Sequence, residues 1–311
     1  MRRADLALIL TLAATSVAAG DLAYVTCQNG NALSVLDLDT GETRATWDVP
    51  GKPAGVAVAS DGSVFTVSPD DATVRRYGPD GVVQADIVLD GGPIGIVLDA
   101  PRARLFVTDW YNARIWVLTT DLAHVTELIT GTAPAGLALS PDGRWLASAD
   151  KDADQVSVFD ADSLKLHRTV KVGSRPFGLR FGPEGRLFVG NVGSNDVTVL
   201  EPDTGMILAT VPVGTRPYGV AFAKGRAFVT NQYEDSVSVI ALDTLQHLRK
   251  IAVGEYPEGI DTTSDGARLV VANWFENSVS VIDAQTLEMV DQIDTADGPR
   301  AFGVFIREDT E

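Results

Sequence analysis

Residues 214–240 read GTRPYGVAFAKGRAFVTNQYEDSVSVI, and the reading of this stretch decides the fold. It holds a Gly-x-x-Pro-x-Gly turn, a short apolar run, a Lys-Gly turn, a second run ending Val-Thr-Asn, and a third in which Val and Ser alternate. Runs of Val, Ile, Phe and Thr bounded by Gly and Pro read as short β-strands. The same unit recurs along the chain. Its aromatic or aliphatic marker falls at Tyr24, Phe65, Phe106, Leu146, Phe188, Phe228 and Val270, and its turn prolines at Pro53, Pro93, Pro134, Pro176, Pro217, Pro257 and Pro299. Two independent markers thus share one period of about 41 residues, which is the mark of a β-propeller with one four-stranded blade per repeat.

Working outward, the run after each proline is rich in small residues (Gly55-Val-Ala-Val-Ala, Gly219-Val-Ala-Phe-Ala), which suits an innermost strand crowded at the axis. Asp61-Gly62, Asp142-Gly143 and Asp265-Gly266 then supply hairpin turns. The chain begins in a second strand, Leu22 to Thr26, and ends in a first strand, Phe302 to Arg307. That phase predicts a seven-bladed, all-β ring closed by its own ends, one blade combining the C-terminal inner strand with three N-terminal strands. Such closure leaves no open sheet edge at the seam.

These motifs resemble the Tyr-Val-Thr-Asn (YVTN) repeat family of exported β-propellers, over roughly residues 21–308. Phe228-Val229-Thr230-Asn231 nearly reproduces the family motif; Tyr24-Val25-Thr26-Cys27 departs at its last residue, and Trp145-Leu146-Ala147-Ser148-Ala149 departs further. The seventh turn, Gly298-Pro299-Arg300-Ala301-Phe302-Gly303, carries two extra residues before its Gly. The resemblance implies the propeller. For function it implies a range: scaffold or ligand binder, accessory of a periplasmic quinone-dependent (PQQ or amine) dehydrogenase system, or lyase or lactonase.

Residues 1–19 read as a secretory signal: Arg2 and Arg3, a short apolar segment from Leu6 to Ala14, and small residues at Val17-Ala18-Ala19. Cleavage near Ala19 would place residues 20–311 in the periplasm or outside the cell as one domain, with no further stretch long enough to insert in a membrane. The whole chain has 311 residues and net charge −17; removing the signal leaves 23 basic and 41 acidic residues, net −18. That surface opposes nucleic acid and anionic lipid. A single Cys27 and the lack of a Cys-x-x-Cys-His motif give no internal disulfide and no attached haem. No cofactor is expected, and a monomer is expected unless the protein sits in a complex.

Chemistry is sparse in the repeats. His124, His167 and His247 all fall at the start of outer strands, in different blades, which speaks against a shared metal or a catalytic base at the mouth and so against the lyase reading. Asp150, Asp152 and Asp154 form the one dense carboxylate group; without the Gly and terminal Glu of a calcium loop they read mainly as a solvated turn, and only weakly as a metal site. Cys27 shares its register with Ser68, Asp109, Ala149, Asn191, Asn231 and Asn273, strand-end positions suited to hydrogen-bonding a turn.

The copies differ most on the face that carries the proline turns. There lie Arg175, Phe177, Arg216, Tyr218, Tyr256, Glu258 and Arg300, and the companion loops add Trp110, Tyr111, Tyr233, Trp274 and Phe275. Aromatic and Arg side chains on an acidic protein suit recognition of a protein partner or a small anionic ligand. The leading expectation is therefore a non-catalytic binding or scaffold propeller, with this face as its site.

Overall fold

The computed structural model describes residues 20–309, so the expected signal over 1–19 lies outside the described residues. Within them the chain forms seven sheets arranged as blades, each with an inner, a second, a third and an outer strand. The Pro217 blade is typical: Pro217–Ala223, Arg226–Asn231, Ser236–Ala241 and His247–Ala252 pair antiparallel in that order. Two short 3-10 turns, Ala100–Arg102 and Lys151–Ala153, are the only helical segments described. Second and third strands are buried almost throughout, because both of their faces pack against neighbouring blades, whereas the outer strands alternate with solvent.

Close approach at the axis explains the small residues of the inner strands. A Cβ added at Gly55, Gly95, Gly136, Gly178, Gly219 or Gly259 would fall within 3.0 Å of a carbonyl oxygen in the next blade, at Ile94, Ala135, Phe177, Tyr218, Glu258 and Ala301 respectively. Gly303 completes the circle against the Val56 carbonyl, at φ +147°. Seven contacts of backbone on backbone thus ring the axis, and any side chain there would push two blades apart.

Two further bonds repeat from blade to blade. Thr26, Thr108 and Thr230, the threonines of the Tyr-Val-Thr-Asn-like runs, donate Oγ1 to the carbonyls of Ala54, Ala135 and Glu258, in or just before the following inner strand, at 2.7–2.8 Å. The turn between second and third strands holds a residue in the left-handed region, such as Asn31, Asp154, Asn195, Asp235 and Asn277. Its side-chain oxygen accepts the backbone N–H of a residue 21 positions later in the next proline turn: Lys52, Arg175, Arg216, Tyr256 and Gly298.

The ring closes as the repeat phase requires, with one refinement. The expected last strand is two strands split at Phe305. Phe302–Val304 runs parallel to Gly55–Val58 at the axis, and Ile306–Glu308 pairs antiparallel with Asp21–Cys27 to complete the seam blade. The break arises because the chain must pass from the axis to the seam. There Phe305 is fully buried, and Asp261 Oδ2 accepts the N–H groups of Phe305 and Ile306 at 2.9 and 3.1 Å.

The seam blade owes its innermost strand to the last described residues. Deleting residues 302–311 is expected to abolish cooperative unfolding in urea followed by circular dichroism, where trimming a free tail would leave the transition in place. A truncated protein with the wild-type midpoint would overturn this closure.

Candidate functional site

The proline turns and the loops between second and third strands open on one face and are bonded to each other there. Gln232 N–H donates to Arg216 O, Trp274 N–H to Tyr256 O, Lys151 N–H to Ala133 O and Val192 N–H to Arg175 O. The side chains singled out from the sequence are therefore on this face, but they separate into two populations.

The first is a buried plug over the axis. Phe177, Tyr218 and Phe302 meet with ring centroids 4.2, 5.2 and 5.8 Å apart, and Trp110 lies 5.9 Å from Phe177. Beside them Arg300 Nε donates to Glu258 Oε2 and Gln232 Nε2 to Glu258 Oε1, both at 2.6 Å. Arg300 also donates to Gln28 Oε1 at 3.3 Å and to the Tyr218 hydroxyl. Glu258 and Tyr218 are 2% and 3% exposed, so these groups face one another and not solvent. Burial pushes the Glu258 carboxyl up despite the pull of Arg300 and Gln232, and burial likewise holds the Tyr218 phenol well above its ordinary range. Desolvation opposes the charge on Arg300, but Glu258 and Tyr218 outweigh it and the guanidinium stays protonated.

The second population is a partly exposed aromatic cluster spanning three adjacent loops. Tyr233 to Tyr256, Tyr256 to Trp274, Tyr256 to Phe275 and Trp274 to Phe275 lie 5.2, 5.3, 4.6 and 4.7 Å apart between centroids. Arg216 stacks over the Tyr233 ring at 4.4 Å and donates to its hydroxyl at 2.6 Å. The Tyr233 phenol is lowered by a hydrogen bond from Tyr256 and by Arg216, while burial and that same bond raise Tyr256. Tyr233 and Phe275 are 52% and 59% exposed. Glu255 and Glu276, beside Tyr256 and Phe275, are exposed as well. Arg175 is exposed away from these rings, and Tyr111 stands alone at 78% exposure. Tyr233 and Phe275, like Tyr111, each stand one residue beyond the less exposed loop position held by Gln232, Trp274 and Trp110, a signal visible in the sequence.

The Asp150, Asp152 and Asp154 group does not converge. Asp150 is fully buried and accepts from Gly131 N–H, Ser148, Ser157 and Gln155. Asp152 pairs with Lys151, and Asp154 makes the repeated loop bond to Arg175. Among the described residues no group of three or more His, Cys, Asp or Glu is placed to hold a metal. Asp150 also corrects the register: paired with Pro134 and Gln155, it holds the place that Asp109 holds between Pro93 and Arg114, so the strand-end residue of that copy is Asp150 and not Ala149. Cys27, the seam member of the set, is buried; its Sγ lies 3.3 Å from Val25 O, and burial pushes the thiol up. His124, His167 and His247 all lie on outer strands, as expected.

Along the axis, on the far side of the plug, runs a channel of about 520 Å³. It extends from the ring of glycines to the turns of Ser60, Ala100 and Pro141 at the opposite face, and Arg180 is the one charged residue lining it. Arg180 Nη2 donates to Asp261 Oδ1 at 2.7 Å. The sequence offered no sign of this residue, which breaks no repeat marker.

No family model matches the sequence, and no curated protein matches it. Among solved structures it is similar to a functionally unknown protein from Desulfotomaculum acetoxidans, at 16% identity with TM-score 0.78, covering 92% of this chain and 98% of that one. It is similar to Kuenenia stuttgartiensis hydrazine synthase at 18% identity with TM-score 0.75, covering 89% and 99%. A virginiamycin B lyase from Staphylococcus aureus matches at 18% identity with TM-score 0.69, covering 83% and 92%. These likenesses establish the seven-bladed propeller and nothing finer.

Two sets of variants follow from the buried groups. Glu258→Ala leaves the largely enclosed Arg300 without its carboxylate and is expected to cost about 3–5 kcal/mol in urea unfolding; replacing both residues by apolar ones should cost less than the two single losses together. Asp109 and Asp150 share one position with opposite shifts. Asp109 is held below the usual carboxylate range because its bonds to Gly92, Asn112, Arg114 and Tyr111 outweigh desolvation, whereas burial raises Asp150. Asp109 therefore contributes stability above about pH 4 that is lost as it protonates in acid. Asp109→Asn should cost about 1–2 kcal/mol at neutral pH and less on acidification. Asp150→Asn should stabilise at neutral pH, an advantage that appears as pH rises through the raised Asp150 value and vanishes in acid.

Proposed function

We propose that this protein is an exported, non-catalytic binding propeller that captures a basic segment of a partner protein on its proline face. The observation that carries the reading is the partly exposed cluster of Tyr233, Tyr256, Trp274 and Phe275, flanked by Glu255 and Glu276. Aromatic faces attract Lys and Arg side chains, and carboxylates at the rim add charge complementarity. An anionic ligand would instead depend on the guanidinium groups. Arg300 is occupied by Glu258, and Arg216 lies against Tyr233. The net charge of −18 left once residues 1–19 are removed favours the basic partner at long range. Export rests on the leader-like residues 1–19, and N-terminal sequencing of the mature protein beginning near Gly20 is the expected result.

Binding of a Lys- and Arg-rich peptide, measured by calorimetry, should weaken roughly thirtyfold on Trp274→Ala with Phe275→Ala, the scale of an interface hot spot. Glu255→Gln with Glu276→Gln should weaken it less and flatten its salt dependence. Tyr111→Ala, on the same face but outside the cluster, should change little. If an acidic peptide binds instead, and Arg175→Ala with Arg216→Ala abolishes that binding, the face works with the opposite sign and this reading fails.

A further inference from the structure

The channel lies beyond the plug from the proline face and is not used by the proposed partner. Its proline end is stopped by the contacts among Phe177, Tyr218 and Phe302, so it is reached from the opposite face, where Ser60, Ala100 and Pro141 lie. At about 520 Å³ it is within the size range of small-molecule sites, which combine apolar walls with a few placed polar groups.

Its walls have that character. Val304 belongs to the short strand laid inside the ring and is nonetheless 39% exposed; it and the half-buried Val58, Leu98, Leu137 and Leu139 line the channel. An apolar side chain left uncovered at the centre of a packed ring has only the channel to face. Against it stands one guanidinium. Arg180 spends one N–H on Asp261 and a second on a long contact to Ile260 O at 3.5 Å, out of five donors. Asp261 is more heavily engaged: besides Arg180 it accepts N–H groups from Thr262, Phe305 and Ile306. Its lone pairs are thus shared among four donors, and Arg180, although ion-paired with it, keeps N–H donors that neither Asp261 nor Ile260 uses. A guanidinium with N–H donors to spare, on an otherwise apolar wall, suits a carboxylate.

We propose that the central channel is a binding site for a small monocarboxylate with an apolar body, its carboxylate on Arg180 and its body against Val304.

The test uses the full mature chain with decanoate and its uncharged counterpart decanol, titrated by displacement of anilinonaphthalene sulfonate and by calorimetry. Decanoate is expected to bind one per chain and about tenfold or more tighter than decanol. Val304→Trp fills the channel from a side chain that is not part of the packed core, and should abolish binding of both while circular dichroism and melting stay as in wild type. Arg180→Gln should remove the preference for decanoate and leave decanol unchanged. Because Arg180 also supports Asp261, an unfolded Arg180→Gln protein would leave the decision to Val304→Trp and to the decanoate-over-decanol preference in wild type. Absence of saturable binding to wild type, equal affinity for the two probes, or binding indifferent to Val304→Trp would each overturn the site; the channel would then hold water only. None of these results bears on peptide capture at the proline face, which is scored with a different probe.

Discussion

The structure depends on how closely the inner strands approach each other. Where Gly55, Gly95, Gly136, Gly178, Gly219, Gly259 and Gly303 face the carbonyl groups of their neighbours, there is no space for even a methyl group. Six of the seven adopt ordinary backbone angles, so the requirement for glycine is one of volume and not of conformation. This tight ring sets the shape of everything along the axis. On one side the residues next to the glycines, Phe177, Tyr218 and Glu258 among them, are driven together into a plug. On the other side the strands diverge and leave the channel.

The plug shows how a propeller can bury charge near its axis. Glu258 and Arg300 come from different blades, and Arg300 comes from the closing segment whose backbone also bonds Thr26 at the other end of the chain. The ion pair therefore joins the last turn to the body of the ring. Asp261 does the same lower down, with one oxygen on Arg180 and the other on the backbone of Phe305 and Ile306. Two carboxylates of the Pro257 blade thus hold the closing segment, and a buried ion pair of this kind specifies an arrangement more than it adds stability.

The architecture was legible in the sequence because it is repetitive: blade number, strand order and the closing phase all follow from two spaced markers. The face carrying the variable residues was legible too, since turn order alone assigns loops to faces. What could not be read was which of those residues would be exposed. Phe177 and Tyr233 look alike as aromatic residues in loops, yet one is plugged over the axis and the other stands in solvent, because the first follows an inner-strand proline and the second lies further from the axis. The Asp150 register was misread by one residue because Trp145-Leu146-Ala147 offers two equally apolar starts for the strand. Arg180 was invisible for the opposite reason: a lone Arg in an inner strand carries no periodic signal, and only the diameter of the ring brings it beside Asp261.

The loop bond that recurs from Asn31 to Asn277 separates two jobs that proteins often load on the same residue. The side chain of Asn31, Asp154, Asn195 or Asp235 grips only a backbone N–H in the next proline turn. The residue gripped needs to accept a left-handed backbone, at φ between 53° and 61° for Lys52, Arg175, Arg216 and Tyr256, but its side chain is not consumed by the grip. Each turn held by this grip thus presents one socket whose occupant can be exchanged, provided it is not β-branched, without disturbing the ring behind it. A scaffold with such sockets can acquire a new specificity one turn at a time.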